Sequence, residues 1–252
     1  MKITVITATY NSERTIQRSI NSFITQNYKK KELILIDGES SDQTLNILSK
    51  NKKNINVIIS EKDRGIYDAL NKGIKKASGE IICFLHSDDF YSSPQVLSNV
   101  VDIFKKNPET QVVIGNSSYF RKNNEEKISR LYSSSNFQIW MMRFGFMPSH
   151  PATFIKKQIY DRYGLFDINY KSAADFEFFL RIFWRNNLNY IFYDHPVLRM
   201  SEGGKSSSGI KSYIVTTYEI RKALREHNIF SGYLLILLRL PIKYFKKFFT
   251  QF

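Results

Sequence analysis

The sequence predicts an α/β fold in which a mostly parallel sheet is flanked by helices. Short apolar runs alternate with helical patterns from residue 3 to about residue 115, and this alternation is typical of a doubly wound sheet with right-handed crossovers. The run at residues 81–85 has no alternation of polar and apolar positions. It therefore indicates a strand that is buried on both faces in the middle of the sheet.

The first half of the chain contains five apolar runs that we predict as strands, with four predicted helices between them. The strands lie at residues 3–8, 33–36, 57–59, 81–85 and 111–115. The helices begin after Asn11 or Ser12, after Ser40 or Ser41, after Gly65 and at Pro94. The predicted inward faces comprise Ile16, Ile20, Phe23 and Ile24, then Leu45 and Leu48, then Ile66, Ala69, Leu70, Gly73, Ile74 and Ala77.

From about residue 116 the pattern changes. We predict two antiparallel strands at 117–120 and 127–132, a strand at 152–155, a helix at 173–185 and a strand at 189–200. Residues 201–209 hold three glycines and four serines, which predicts a mobile loop. Amphipathic helices are predicted at 211–226 and 233–249.

Composition limits the possible partners and compartments. The 252 residues carry a net charge of +14, which favours nucleic acid, acidic lipid or a phosphorylated substrate. The single cysteine, Cys83, excludes an internal disulfide framework and a cysteine-rich zinc site. No signal peptide and no apolar run of about 20 residues is present, so we expect a cytoplasmic protein.

The C-terminal residues combine basic and aromatic side chains. Residues 233–238 are apolar, and no acid follows Glu226. Beyond them, Arg239, Lys243, Lys246 and Lys247 alternate with aliphatic and aromatic residues. This pattern favours a helix that lies in an anionic membrane interface. The alternative is a helix that packs on the domain with a solvated basic edge.

Polar groups fall at the carboxyl ends of the predicted parallel strands. Each one alone has a structural explanation, as a helix cap, a turn former or a charge at a helix start. Together they predict a binding crevice on one edge of the sheet. They are Thr9, Tyr10 and Asn11, then Asp37, then Asp63 with Arg64, and finally Asp88 with Asp89.

The adjacent carboxylates Asp88 and Asp89 suggest a metal site. Two such groups repel each other unless a cation neutralises them, and Mg²⁺ or Mn²⁺ commonly shares its coordination with substrate phosphates. The alternative is that one of the two aspartates caps the following helix. A dinucleotide-binding Gly-x-Gly-x-x-Gly motif and a Gly-Lys-Ser/Thr phosphate loop are both absent from the sequence.

Taken together, these motifs resemble those of the family 2 inverting glycosyltransferases with a GT-A fold, of the type that builds bacterial cell-surface polysaccharides. The resemblance extends from residue 3 to about residue 200. The motifs are Thr9-Tyr10-Asn11, Ile36-Asp37-Gly38-Glu39-Ser40-Ser41-Asp42-Gln43-Thr44, Asp63-Arg64-Gly65, Ala77-Ser78-Gly79-Glu80, Ser87-Asp88-Asp89 and Ala174-Asp175-Phe176-Glu177.

The resemblance implies a role for each of these positions. Asp89 would coordinate Mn²⁺ or Mg²⁺ at the donor diphosphate, and Asp175 would be the general base. A base at the start of a helix is well fixed in direction, although an acid there is also common in ordinary helices. The nucleotide-sugar site would comprise Thr9, Tyr10 and Asn11 along the nucleotide, Asp37 at the base, Asp63 and Arg64 closing the pocket, and Asp88 near the ribose or the metal.

Several positions depart from the family pattern or have two interpretations. Ser87 replaces the first acid of Asp-x-Asp, and Ala174 replaces the usual Glu before the base. His150 is either an acceptor or phosphate contact or a packed core histidine. Lys205, in the serine-rich loop, belongs either to a lid over the donor or to a plain linker.

The resemblance implies transfer of a sugar from a nucleotide-sugar, with UDP favoured, to a saccharide or lipid-linked saccharide. Residues 1–205 would form the catalytic domain, with a nucleotide-sugar half at 1–115 and an acceptor half at 116–205. Residues 206–252 would associate with an anionic membrane, on the inner face of the cell membrane.

Two alternatives compete with this hypothesis. A sugar-nucleotide pyrophosphorylase would require a glycine-rich loop with basic residues after the first strand, and the sequence lacks such a loop. A non-enzymatic module that binds nucleic acid or membrane would explain the charge. The densest basic and aromatic cluster is terminal and apolar, so we expect membrane there and no nucleic acid.

Overall fold

The computed structural model describes residues 1–121, 124–184, 186, 188–202 and 209–239. Its N-terminal half contains four parallel strands in the order β3-β2-β1-β4. These strands are β1 (Ile3–Thr9), β2 (Lys31–Asp37), β3 (Val57–Ser60) and β4 (Ile81–Phe84). The helices of this half are α1 (Ile16–Ile24), α2 (Thr44–Lys50), α3 (Ile66–Lys76) and α4 (Val96–Lys106).

The second half extends the same sheet with strands of both directions. It contributes β5 (Phe90–Tyr91), β6 (Val112–Arg121), β7 (Asn124–Tyr132), β8 (Thr153–Lys156) and β9 (Tyr190–Ser201). Strand β8 lies antiparallel between β4 and β6, β9 is parallel to β6, and β7 forms an antiparallel hairpin with β6. The α/β class is therefore confirmed, with the parallel arrangement concentrated in the N-terminal half.

The sheet is covered on both faces. On β4, Ile81 and Cys83 pack into one apolar layer, whereas Ile82 and Phe84 pack into the other. Both layers are closed to solvent at these positions, so the prediction of a doubly buried strand at residues 81–85 is confirmed. Cys83 is a small core residue with a free thiol.

Some helix details differ from the sequence-based expectations. Asn11 is not a helix cap, because its φ of 48° lies in the left-handed region and α1 begins only at Ile16. Asp42, rather than a serine, accepts a hydrogen bond from the Thr44 amide, at 2.9 Å, at the start of α2. Ile24, Leu45 and Ile66, which are predicted to face inward, are exposed, since each lies at the margin of the stripe that its helix buries.

Two short elements escaped the sequence patterns, and one predicted break is absent. The two-residue strand β5 and the helix α5 (Lys157–Tyr163) carry too few residues to show a period. Strand β6 runs without interruption through Asn116. This is possible because β8 pairs with its first part and β7 takes over the same edge from Ser117.

Three helices complete the described chain, namely α6 (Ala174–Phe183), α7 (Gly209–Glu226) and α8 (Tyr233–Leu237). Ile220 and Leu224 of α7 and Ile236 of α8 belong to the same apolar core as Phe179 of α6. This part of the C-terminal segment is therefore a layer of the domain. None of the described helices is both long enough and apolar enough to cross a membrane.

Arg239 contradicts one expectation about the basic C-terminal residues. Only 3% of it is exposed, and its guanidinium donates hydrogen bonds to Tyr213 Oη at 3.1 Å and Thr217 Oγ1 at 2.8 Å. Because Arg239 packs inward on α7, it is not a surface cation for a membrane. Lys243, Lys246 and Lys247 lie outside the described residues.

A buried carboxylate holds the amino edge of the sheet together. Glu32 on β2 accepts hydrogen bonds from the Ser78 amide at 2.8 Å, the Gly79 amide at 3.1 Å and the Thr4 hydroxyl, and it pairs with Lys2 Nζ at 2.6 Å. Burial alone would raise the pKa of Glu32. The bonds from Lys2, Ser78 and Thr4 outweigh burial and lower the pKa to about 2.

We expect Glu32→Gln to destabilise the fold by about 1–3 kcal/mol at neutral pH. Because the folded pKa is depressed, this stabilisation is present above the ordinary pKa of 4.5 and is lost as the pH falls toward about 2. Denaturant unfolding of both proteins across this range would measure it. Glu61→Gln, which removes an exposed carboxylate paired with Lys72 at 2.9 Å, should change stability little. A difference for Glu32→Gln that does not depend on pH would contradict the assignment.

Candidate active site

The carboxyl ends of the parallel strands meet at one edge of the sheet. The register places Thr9 beside Asp37 and Asp37 beside Ser60. The structure thus brings together residues that are 28 and 23 positions apart in the chain. Thr9 is buried, and its hydroxyl has no hydrogen-bond partner among the described residues.

Asp37 is sealed inside this edge. Its Oδ1 accepts from Ser40 Oγ at 2.5 Å, and its Oδ2 accepts from the Ser40 amide at 3.0 Å and from Ser60 Oγ at 2.8 Å. The side chain is fully buried. Both carboxylate oxygens are therefore engaged in shaping the loop that follows β2.

Asn11 joins the loops that follow β1 and β2. Its side-chain Oδ1 accepts a hydrogen bond from the Ser41 backbone amide at 2.9 Å, and its backbone amide donates a hydrogen bond to Ser40 Oγ at 2.8 Å. Its left-handed backbone is a conformation that asparagine tolerates better than most residues. Asn11 therefore positions the predicted donor site through the backbone of its neighbour loop.

Tyr10 and Asp63 both lie beside Gly38. A Cβ on Gly38 would lie 2.6 Å from Asp63 Oδ2 and 3.5 Å from the Tyr10 ring, so any larger residue would push the Asp63 carboxylate aside. Half of Tyr10 is exposed. Asp63 Oδ1 also accepts from the Gly65 amide at 2.9 Å, which turns the chain into α3.

Arg64 does not join this group. Its guanidinium is exposed and pairs with Asp68 in the first turn of α3, with 3.4 Å between Nη2 and Oδ1. An exposed pair of this kind contributes little to stability. The closing of the donor pocket by Arg64 stays a prediction.

The loop after β4 carries the two adjacent carboxylates. Arg18 from α1 donates to the Asp88 carbonyl at 2.7 Å, and its guanidinium lies over the Phe90 ring at 4.7 Å. Ser87, which replaces an acid of the family pattern, lies 3.0 Å from Ser12 Oγ. The serine therefore ties the β4 loop to the β1 loop.

Asp89 is buried with a carboxylate oxygen unsatisfied. Only 2% of the residue is exposed, and Oδ2 has no hydrogen-bond partner among the described residues. Burial raises the pKa of Asp89 well above its ordinary range, and the neighbouring Asp88 charge adds to this rise. The Arg18 charge and a hydrogen bond from the Ser201 backbone oppose this rise but do not cancel it. A buried carboxylate oxygen without a partner is costly, so Asp89 could bind a divalent cation.

The described residues include no group of three or more His, Cys, Asp or Glu side chains that could hold a metal. A cation at Asp89 would therefore take most of its ligands from elsewhere. This suits Mg²⁺ or Mn²⁺, which bind through one or two carboxylates together with substrate phosphates and water.

Asp175 lies in the first turn of α6, and its Oδ1 accepts from Tyr67 Oη at 3.0 Å and from the Phe176 amide at 2.9 Å. Burial raises the pKa of Asp175 to about 6, against the opposing effect of the Tyr67 hydrogen bond. A carboxylate with such a pKa is ionised at neutral pH and is a better proton acceptor than an ordinary aspartate.

His150 packs in the core rather than at an open surface. Its ring stacks on Phe84 at 4.8 Å and meets Phe166 and Phe179 edge-on at 5.4 and 5.8 Å. Burial lowers the pKa of His150 to about 3, so the ring is neutral. This geometry favours the packed interpretation. Lys205 lies outside the described residues.

Two residues near the site gave no usable sequence signal. In the sequence, Tyr67 is indistinguishable from the other residues of the α3 helical pattern. It forms a hydrogen bond to Asp175 because the fold brings together positions that are 108 residues apart. Arg130 on β7 stacks on Tyr119 of β6 at 4.0 Å. The hairpin pattern predicted the two strands but not this pair.

The sequence and the fold both have known relatives. The chain matches the family described as Glycosyl transferase family 2 over residues 4–182. The chain belongs to that family. The family resemblance of its motifs is thereby confirmed. We therefore no longer consider that this glycosyltransferase is a sugar-nucleotide pyrophosphorylase or a non-enzymatic binding module.

Curated relatives of this glycosyltransferase come from bacteria and archaea. An uncharacterised glycosyltransferase of Mycobacterium tuberculosis is 32% identical over 181 residues, which cover 71% of this chain and 68% of that protein. A PGL/p-HBAD biosynthesis glycosyltransferase of Mycobacterium bovis is 27% identical, with the same coverage. A dolichyl N-acetyl-alpha-D-glucosaminyl phosphate 3-beta-D-2,3-diacetamido-2,3-dideoxy-beta-D-glucuronosyltransferase of Methanococcus voltae is 28% identical and covers 95% of this chain and 77% of that protein.

Solved structures confirm the GT-A fold. Residues 1–349 of S. aureus TarS in complex with UDP-GlcNAc superpose with a TM-score of 0.70 at 22% identity, covering 89% of this chain and 66% of that one. A longer TarS chain gives 0.68 at 20% identity, and there the match covers 40% of its length. The mannosyltransferase PcManGT of Pyrobaculum calidifontis, solved with GDP-Man and Mn²⁺, gives 0.64 at 19% identity, covering 89% of this chain and 63% of that one.

We expect Asp175→Asn to stabilise the fold by about 1–2 kcal/mol at about pH 8. The folded pKa of Asp175 lies above its ordinary value of 3.8, so the wild type loses stability as the pH rises through about 6, whereas the variant does not. Thermal unfolding between about pH 4 and pH 8 would measure the difference.

Asp68→Asn is the matched control. Partial burial raises the pKa of Asp68, but hydrogen bonds from Arg64 outweigh it and lower that pKa, so the control should not gain stability. Equal stabilities of wild type and Asp175→Asn at high pH would contradict a desolvated Asp175 carboxylate.

Proposed function

We propose that this glycosyltransferase transfers a sugar, with inversion, from a nucleotide-sugar to a saccharide acceptor, and that the donor is a UDP-sugar. The observation that carries the proposal is a pair of carboxylates on different elements of the site. Asp89 has an unsatisfied buried oxygen, which suits a cation beside a diphosphate. Asp175 is held through one oxygen by Tyr67, which suits proton removal from an acceptor hydroxyl.

The donor nucleotide would lie on the loops that follow β1, β2 and β3. The exposed Tyr10 ring offers a stacking surface for a base, with Asp63 also beside Gly38. Because Asp37 is fully buried, a hydrogen bond from the base to Asp37 requires that residues covering it, such as Ser40 or Ser60, move aside. The TarS complexes with UDP and UDP-GlcNAc support a uridine nucleotide.

Asp89 would hold Mn²⁺ or Mg²⁺ through Oδ2, with Asp88 as the adjacent carboxylate. The bound cation would stabilise the negative charge of the departing diphosphate. The presence of Mn²⁺ in the PcManGT complex supports this assignment.

Asp175 would accept the proton of the acceptor hydroxyl as that oxygen attacks the anomeric carbon. Attack opposite the departing diphosphate inverts the configuration at that carbon. Both side-chain bonds of Asp175 go to Oδ1, which leaves Oδ2 for the acceptor. The Tyr67 bond fixes the carboxylate plane, and such positioning lowers the entropic part of the barrier.

A lipid-linked saccharide is the acceptor that the relatives favour. The Methanococcus voltae relative is named for a dolichyl phosphate-linked acceptor, and the Mycobacterium bovis relative for PGL/p-HBAD biosynthesis. This glycosyltransferase would accordingly act in the synthesis of a surface polysaccharide or glycolipid.

An exposed apolar surface on α7 and α8 supports work at a membrane. Phe230 and Leu234 are each more than 80% exposed. Apolar residues scattered singly over a surface are normal, whereas a group of exposed apolar residues indicates an interaction site. The other large apolar side chains of this surface are Ile214, Val215, Tyr218, Tyr233, Leu237 and Leu238. We place this surface, with the basic residues beyond it in the sequence, against the inner face of the cell membrane.

Titration calorimetry with UDP, GDP and dTDP, each with and without Mn²⁺, tests the donor site. We expect UDP to bind with Mn²⁺ and the affinity to fall at least about tenfold in Asp89→Asn, because the cation loses its charged ligand. Asp102→Asn, which changes an exposed carboxylate on α4 that pairs with Lys105, is the control and should bind as the wild type does. Failure of every nucleotide to bind the wild type would remove the donor-site assignment.

Vesicle sedimentation tests the membrane assignment. Replacing Lys243, Lys246 and Lys247 by Gln should weaken binding to anionic vesicles by about 3 kcal/mol, since each basic group near such a surface contributes about 1 kcal/mol. The control replaces the exposed Lys50, Lys52 and Lys53 by Gln and should bind normally. Equal binding of both triple variants, or stronger binding to duplex DNA than to vesicles, would count against a membrane surface.

A further inference from the structure

Glu219 of α7 is a buried carboxylate whose partners lie at the start of another helix. Its Oε1 accepts from the Lys171 amide at 2.8 Å, and its Oε2 accepts from the Ser172 and Ala173 amides at 2.8 and 2.9 Å. Only 6% of the residue is exposed. One side chain therefore occupies three consecutive backbone donors that directly precede α6.

The segment that leads into α6 is held by this contact. The first amides of a helix have no partner within the helix, and the N-cap residue Ala173 has no side chain that could provide one. Glu219 binds the Ala173 amide and the two amides before it, while the first-turn amide of Phe176 donates to Asp175 Oδ1. An anion at this end is also favoured by the helix dipole. Glu219 supplies both the acceptor atoms and the charge from a helix 46 residues further along the chain.

We propose that Glu219 is a positioning residue for the general base: it fixes the start of α6 and thereby aims the Asp175 carboxylate into the cleft. This inference rests on the proposed role of Asp175. Asp175 follows Ala173 by two residues, so a shift or fraying of residues 171–173 would turn its side chain away from the acceptor. Displacements of about 1 Å at a reacting group can cost about a hundredfold in rate.

Glu219 affects Asp175 through its charge as well as through its hydrogen bonds. The titratable groups that face Asp175 are Tyr67 from α3, Tyr132 from β7 and Glu219 from α7. Burial is the main cause of the raised pKa of Asp175, and the Glu219 charge adds to it. The charge of Arg239, which follows α8, also acts on Tyr132 and lowers its pKa against the effect of burial.

Other contacts near the two helices provide a comparison. Glu177 pairs with Arg181 within α6 at 2.7 Å and lies 3.1 Å from Nε2 of His227, which follows α7, while Glu226 of α7 accepts from Oη of Tyr170, which precedes α6. None of these bonds reaches the amides that precede Asp175. If the role of Glu219 were merely structural, replacing it should affect kcat and the pH profile no more than replacing Glu226.

Two substitutions separate the effect of the Glu219 charge from the effect of its side-chain length. Glu219→Gln keeps the length but removes the charge and one acceptor, so kcat should fall about tenfold while KM for the donor stays unchanged. The acidic limb of the pH–rate profile should move down by about half a pH unit. Glu219→Asp keeps the charge but shortens the side chain, so kcat should fall with little movement of the limb.

Glu226→Gln is the matched control, because it removes the same charge from the same helix. It should leave kcat and the pH profile as in the wild type. Circular dichroism of all variants would show whether each one folds. If the Gln variant does not fold, Glu219→Asp still tests the positioning effect through kcat.

The outcomes distinguish this inference from the proposed function. If Asp175→Asn is inactive but Glu219→Gln matches the wild type in kcat and pH profile, the positioning role is wrong and the general base stands. If the wild type transfers no sugar, carbon NMR titration of the Asp175 carboxyl in the wild type and Glu219→Gln still decides. An unchanged Asp175 pKa in that titration would overturn the coupling.

Discussion

The parallel register of β1, β2, β3 and β4 is the constraint on which the rest of the site depends. Strands β1, β2 and β4 are largely apolar and buried, and the parallel arrangement brings the carboxyl ends of all four strands to one edge. Asp37 therefore lies between Thr9 and Ser60. The loops beyond them are then close enough for Asn11 to bridge to Ser41.

Three buried carboxylates in this domain have opposite effects on stability. Glu32 is saturated with donors and its pKa is lowered, so its charge stabilises the sheet. Asp89 and Asp175 have raised pKa values because burial outweighs their partners, so their charges destabilise the folded state. Perturbed carboxylates of this kind are common at functional sites, and an unsatisfied oxygen at Asp89 is consistent with a site that needs a cation.

Helix α7 links the C-terminal segment to the chemistry of the site. It buries Ile220 and Leu224 in the core that also surrounds α6, and its Glu219 holds the amides before Asp175. The exposed apolar residues Phe230, between α7 and α8, and Leu234, in α8, belong to the same part of the chain. The C-terminal segment thus contributes both to the surroundings of the proposed base and to the proposed membrane surface.

The sequence alone determined the α/β class and the order of the motifs, and it singled out Asp89 and Asp175 as candidates, because strand and helix periods and short motifs are local properties of the chain. Only the tertiary structure decided how those residues are held. Ser60 closes Asp37 from the neighbouring strand, Tyr67 meets Asp175 across 108 residues and Glu219 binds the amide that precedes α6 across 46. The inward position of Arg239 was also invisible in its basic surroundings. Such contacts depend on how distant elements pack, and no local pattern in one sequence carries that information.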